Sequence, residues 1–189
     1  MRRLADAERI RAFLAALGVR ASKPTRLYLV GGATAVLQGW RPSTIDVDLV
    51  LIPESDEILR AIPELKRELE LNVEIAAPHH FIPELPGWQE RSLFVEQIRQ
   101  LSIYHYDPYS QALSKLERRH AKDVTDVESM VAAGLVDPER LGSLFESIEP
   151  ELYRFPAIDP ASFRRAVEEL VAAGPPSRRR PGVRGQRLR

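Results

Sequence analysis

The sequence predicts an α/β (α+β) fold, with a small sheet and flanking helices in front and an all-helical half behind. Three observations predict it. Short apolar runs bounded by glycine and proline ("RLYLV", "IDVDLVLI" and "LNVEIAA") alternate with helix-length segments up to residue 107. Two further apolar runs, "RSLFVEQI" and "LSIYHY", are separated by a very short turn, as in a β-hairpin. From Pro108 onward only helical spacing recurs. Asp137-Pro138 and Asp159-Pro160 each supply an N-cap followed by proline at the first helical position.

Taken in order, Leu4, Ile10, Phe13, Leu14 and Leu17 are near helical spacing, with Gly18 as the expected stop. "RLYLV" is a buried strand, Gly31-Gly32 the turn after it, and "ATAVLQG" a short helix ended by Gly39. Residues 41–44 form a loop into "IDVDLVLI", the second strand, which Pro53 stops. A helix over 55–69 is expected to kink or restart at Pro63. "LNVEIAA" is the third strand, and "PHHFIPELPGW" a proline-punctuated loop before the hairpin. Helices follow over 109–119, 121–133, 138–148 and 160–172. The expected organisation is an α/β core over 1–107, a helical region over 108–174 packed on it, and a basic, disordered tail over 175–189.

The totals narrow the class. With 44% hydrophobic and 29% charged residues in 189, the chain has the balance of a soluble globular domain. No apolar run approaches the ~20 residues that span a bilayer, so a membrane partner is not expected. Asp6 and Glu8 interrupt the N-terminal segment, which reads as an amphipathic helix and not a secretory signal. Without cysteine there is neither a disulfide framework nor a thiolate metal site, which fits a cytoplasmic location. The formal charge of zero hides an asymmetry: residues 177–189 hold six arginines and no acid, leaving 21 basic against 27 acidic residues in the rest. That tail is either a solvated terminus or an electrostatic arm for nucleic-acid phosphates.

Asp46 and Asp48 share one face of the second strand, because side chains alternate with period two. Two carboxylates roughly 6–7 Å apart on a strand repel one another and lose hydration on burial. A divalent cation would remove that cost; a solvated strand end would also tolerate the pair. The upstream Gly31-Gly32 favours the cation, since a strand, a glycine turn and a helix start let backbone approach a phosphate closely. Glu74 shares a face with Asn72 on the third strand and is the candidate third acid, the alternative being a solvated strand face.

These stretches resemble the nucleotidyltransferase superfamily of DNA-polymerase-β type, whose signature is a glycine turn, Asp-x-Asp and a later carboxylate. "GGATAVLQGWRPSTIDVDL", "NVEIAAPHHFIPELPGWQERS", "YHYDPYSQALSKLERRHAKDVTDVESM" and "YRFPAIDP" are similar to a branch of small bacterial nucleotidyltransferase-like proteins. More distantly, the chain resembles AbiEii/AbiGii-type toxins. The resemblance implies a small mixed β-sheet core and transfer of a nucleoside monophosphate from a nucleoside triphosphate to a hydroxyl acceptor, RNA, tRNA or protein. It implies Mg²⁺ (or Mn²⁺) held by Asp46, Asp48 and Glu74 as the catalytic acids. It also implies a nucleotide site made by Gly31, Gly32, Thr44, Lys115 and Asp123, and a cognate antitoxin or small partner protein. Gly32 departs from the superfamily's usual Gly-Ser, losing a hydroxyl. An inactive nucleotide-binding or antitoxin-like interaction protein is the alternative.

In "SKLERRHAKDVTD", helical spacing pairs Arg119 with Asp123 and Lys122 with Asp126, the pattern of a salt-bridged helix surface. Arg118 and Arg119 are the candidate acceptor contacts. His79, His80 and His105 lack metal-ligand spacing and are expected in structural or substrate-contact roles; His120 is expected on a solvated helix. Trp88, beside Arg91, either stacks a base or packs a loop onto the core.

Overall fold

The computed structural model describes residues 4–174, so the basic tail lies outside the described residues. Its five strands are β1 (Thr25–Val30), β2 (Asp46–Ile52), β3 (Asn72–Ile75), β4 (Leu93–Ile98) and β5 (Leu101–His105). They form one mixed sheet in the order β3-β2-β1-β5-β4. β1 runs antiparallel to β2 and parallel to β5, β2 is parallel to β3, and β4 is antiparallel to β5.

One face of the sheet carries Leu27 and Leu29 of β1, Val47, Leu49 and Leu51 of β2, and Leu101 and Ile103 of β5. Covering it are α1 (Ala7–Arg20), through Ile10, Phe13, Leu14 and Leu17, and α3 (Asp56–Glu68), through Ile58, Ala61, Ile62 and Leu65. Side chains three and four apart form one stripe on each helix, which is why both bury a single face. The short α2 (Gly31–Leu37) leads from β1 and adds Ala33 and Val36 to this core.

The other face receives Tyr28 and Val50, and the C-terminal half packs there. Its helices are α5 (Pro108–Arg118), α6 (Ala121–Ala132), α7 (Pro138–Ile148) and α8 (Pro160–Ala173), preceded by the four-residue α4 (Trp88–Arg91). Leu113, Met130, Phe145 and Phe163 are buried together in this second core.

Several expectations change. Gly18 does not stop α1, which continues to Arg20. A Cβ on Gly18 would lie 2.4 Å from Ile98 Cγ2, so this glycine lets α1 approach the sheet closely. Pro63 does not restart α3: it sits inside one continuous helix on its exposed side, where water can serve the carbonyl left without a partner. The loop before the hairpin contains α4 and a 3₁₀ turn, Pro78–His80, and a second 3₁₀ turn, Glu149–Arg154, follows α7. No helix among the described residues is long and apolar enough to cross a membrane.

Candidate active site

Because Val47, Leu49 and Leu51 enter the core under α1 and α3, Asp46 and Asp48 take the opposite face of β2. Val50 continues that face into the second core, and the two acids lie beyond it at the start of the strand, both half-buried. β3 brings Asn72 opposite Asp46 and Glu74 opposite Asp48. Asn72 Nδ2 donates to Asp46 Oδ1 and, at 3.2 Å, to Glu74 Oε1, so one amide bridges two carboxylates. Glu74 itself is exposed. Among the described residues, no group of three or more His, Cys, Asp or Glu is arranged to hold a metal ion. Burial first, then the charges of Asp46 and Glu74, push the Asp48 carboxyl up to about 6, against the opposing charges of Arg118 and Lys115.

The glycine pair is explained by what presses on it. Gly31 has φ +57°, and a Cβ there would meet Asp48 Oδ2 at 3.0 Å. Its left-handed backbone and the nearby carboxylate both exclude an ordinary side chain. The Gly31 N–H, which the sequence reading directs toward a phosphate, donates instead to Gln111 Oε1 at 2.8 Å. Gln111 also donates to the Tyr106 carbonyl at 2.7 Å, tying α5 to the glycine turn.

Facing these residues is a cleft of about 500 Å³. Gly31, Gly32, Thr44, Asp46 and Asp48 line one wall, and Lys115, Arg118, Lys122 and Asp123 the other. Lys115 is only 4% exposed. Its Nζ lies 3.1 Å from Asp123 Oδ1 and 2.6 Å from Asp126 Oδ2. Asp126 also binds Arg41 at 2.7 Å, and Asp123 binds Arg118 at 3.3 Å. The result is a buried ion network joining the loop after α2 to α5 and α6. It replaces the expected salt-bridged helix surface. Arg119 adopts φ +54° and ends α5, so helical spacing does not carry across it. Arg119 therefore turns to Glu169 at 2.8 Å, outside the residues lining the cleft. Lys122, expected beside Asp126, faces the cleft.

The remaining candidates lie elsewhere. Trp88 is buried and stacked on Tyr106, with ring centroids 4.1 Å apart, which removes it as a base-stacking residue. Arg91 grips the buried Asp107 through Nε at 3.1 Å and Nη2 at 2.8 Å, fixing the start of α5. His79 Nδ1 lies 3.0 Å from the Tyr106 hydroxyl, and His105 Nδ1 lies 3.2 Å from Thr34 Oγ1; both rings are structural. Sequence reasoning missed Arg41, Gln111 and the part played by Asp126. The signal for Asp126 was available: Asp123 and Asp126 are three apart in an otherwise apolar-faced helix, where a buried carboxylate needs a cation.

An acid pair on a strand, glycines packed against it and a cationic wall opposite thus line one cleft. The chain belongs to the family described as "Nucleotidyltransferase of unknown function (DUF6036)", whose model matches residues 7–165. Among solved structures, it is similar to an antigenic nucleotidyltransferase-like protein from Paracoccidioides brasiliensis. Sequence identity is 14% and the TM-score 0.47, over 87% of this chain and 95% of that one. No curated protein matches the chain.

Proposed function

We propose that the chain transfers a nucleoside monophosphate from a nucleoside triphosphate to a hydroxyl acceptor, in the cleft between β2 and the α5–α6 pair: the acceptor oxygen bonds to the α-phosphorus, the α–β anhydride bond breaks, and pyrophosphate leaves. The observation that carries this reading is the half-buried Asp46–Asp48 pair facing Lys115, Arg118 and Lys122 across the cleft. Desolvated, mutually repelling carboxylates are hard oxygen donors suited to Mg²⁺ or Mn²⁺. Two of them suffice, because Mg²⁺ is commonly held by one or two carboxylates together with substrate phosphates. When bound there, such a cation supplies Lewis-acid charge to the phosphoryl oxygens.

The chain's own residues do the rest. Arg118, 40% exposed in its side chain, and the exposed Lys122 neutralise the triphosphate. Lys115, held by Asp123 and Asp126, positions the cationic wall and keeps a positive charge beside the phosphates. Glu74, across from Asp48, accepts the proton of the attacking hydroxyl. Arg118, part-exposed at the cleft, supports contact with a nucleic-acid acceptor as well. That makes RNA the proposed acceptor class, with toxin activity on tRNA one form of it. Catalysis here is positioning and charge stabilisation.

Two observations favour a second reading, a nucleotide-binding module without turnover: Lys115 is already paired with two carboxylates, and no three-ligand metal group is present among the described residues. Calorimetric titration of each of the four nucleoside triphosphates, with and without Mg²⁺, separates these from a protein that binds no nucleotide. Mg²⁺-dependent binding that is lost in Asp46→Ala/Asp48→Ala is the expected result. No binding by a well-folded wild type would exclude both readings. Labelled triphosphate incubated with total RNA and protein then tells transfer from binding alone.

A further inference from the structure

Two large apolar side chains stand open in a cleft otherwise rich in charge. Leu4 is 57% exposed and Ile45 59%, and both line the cleft with Asp46 and Asp48. Helical spacing groups Leu4 with the buried stripe of α1, yet that helix begins at Ala7 and Leu4 lies before it. Register brings the two together. Ala5 and Thr44 form an antiparallel bridge: the Ala5 N–H donates to the Thr44 carbonyl at 2.8 Å, and the Thr44 N–H to the Ala5 carbonyl at 2.9 Å. One residue further along each segment, that register places Leu4 opposite Ile45, in the closer kind of antiparallel pair. Alternation sends both side chains to the face away from those of Ala5 and Thr44. Those two are committed. Ala5 is fully buried in the core, and Thr44 packs on Gly32, where a Cβ would lie 2.0 Å from Thr44 Oγ1. The bridge therefore cannot roll over to hide Leu4 and Ile45. Arg9 Nη1 also donates to the Leu4 carbonyl at 2.7 Å, holding the segment from α1.

We propose that Leu4 and Ile45 form the shelf on which the base of the nucleoside triphosphate rests. The proposal rests on the nucleotidyl-transfer reading and divides its cleft by chemistry. A triphosphate needs cationic partners, which Arg118 and Lys122 supply opposite the acids. The flat faces of a nucleobase form no strong hydrogen bonds and gain by leaving water, so aliphatic side chains suit them. Leu4, Ile45 and the neighbouring Pro42 carry no charge and offer a phosphate nothing. Single exposed apolar side chains are ordinary on a protein surface; two held opposite one another in a charged cleft are the mark of a ligand surface. Ile45 directly precedes Asp46 in the chain, so the shelf adjoins the acids. Ring area is what such a shelf reads, and its contribution is larger for purine than for pyrimidine triphosphates.

The test titrates the full chain by calorimetry, in Mg²⁺, with each nucleoside triphosphate and with inorganic triphosphate, which carries the phosphates without a base. The variant is Leu4→Gln/Ile45→Gln; both side chains are exposed, so its melting temperature is expected to match the wild type. Its affinity for nucleoside triphosphates is expected to fall roughly tenfold, more for purines, while that for inorganic triphosphate stays unchanged. Wild-type affinity for nucleoside triphosphates in the variant would overturn the proposal. If that variant had instead lost affinity for a short single-stranded RNA, the shelf would belong to the acceptor. An equal loss for inorganic triphosphate would also overturn it, because the side chains would then act through the phosphate site. If the wild type binds inorganic triphosphate as tightly as nucleoside triphosphates, the base is not held, and the proposal falls while the phosphate site stands. If it binds neither, the nucleotidyl-transfer reading falls and the proposal with it.

Discussion

His105 and Asp48 lie on strands of the same sheet and are shifted in opposite senses. Burial holds the His105 ring down to about 4 from 6.5, so it is neutral in the folded protein at neutral pH. The unfolded chain binds that proton more readily. Stability linked to His105 is therefore complete above about 6.5 and is lost as pH falls toward 4, by up to about 3 kcal/mol. His79, also lowered by burial, adds in the same sense. Urea unfolding at a series of pH values should show this slope, and His105→Gln should flatten it. Asp48 behaves conversely, its carboxyl being raised from 3.8 to about 6. Its linked stability is present below about 3.8 and is lost as pH rises through 6. In metal-free protein, Asp48→Asn should melt above wild type at pH 8 and with it at pH 4, while abolishing Mg²⁺-dependent nucleotide binding. An acid that weakens the empty fold and serves the loaded site is the expected signature of function.

At the scale of elements, α5 and α6 are joined by buried charge as well as by apolar packing. Asp126 is 1% exposed and serves both Lys115 and Arg41. Removing it leaves a buried ammonium with one partner and frees the loop that carries Arg41. Asp126→Ala should cost about 3 kcal/mol, the low end for breaking a buried ion pair because Asp123 still holds Lys115. Chemical denaturation measures the loss. Hydrogen exchange should also quicken at residues 41–44, since Arg41 bonds the Lys122 carbonyl and Asp126 from that loop. A surface salt bridge, by contrast, would contribute under 1 kcal/mol, and its removal would leave exchange unchanged.

For the whole molecule, both cores are built on the same strands. β1 sends Leu27 and Leu29 to one and Tyr28 to the other; β2 sends Val47, Leu49 and Leu51 to one and Val50 to the other. Neither the α/β part nor the helical part can bury its apolar face without the shared sheet. Thermal unfolding should accordingly be a single transition, with calorimetric and van't Hoff enthalpies equal. Two resolved transitions would show that residues 108–174 fold as an independent unit. The acids sit where β2 passes from the second core into the open cleft, so loss of the helical half would remove the cationic wall together with the fold.

What the sequence determined by itself was local or periodic. The five strands, the main helices, and the common face of Asp46 and Asp48 follow from alternation, helical spacing and proline caps within short windows, whereas Gly31 and Gly32, expected as a turn, open α2. Asn72 and Glu74 were legible in the same way, as two residues of one strand face. The tertiary structure alone decided which strand lies beside β2, and hence that Glu74 is opposite Asp48. It alone turned the chain at Arg119, sent Arg119 to Glu169, and buried Lys115 between two aspartates. It also set Thr44 against Gly32 and Gly18 against Ile98. Side-chain periodicity is a property of neighbours along the chain. Close approach between segments dozens of residues apart depends on how the sheet is ordered and how each helix lies on it, and no local pattern encodes that.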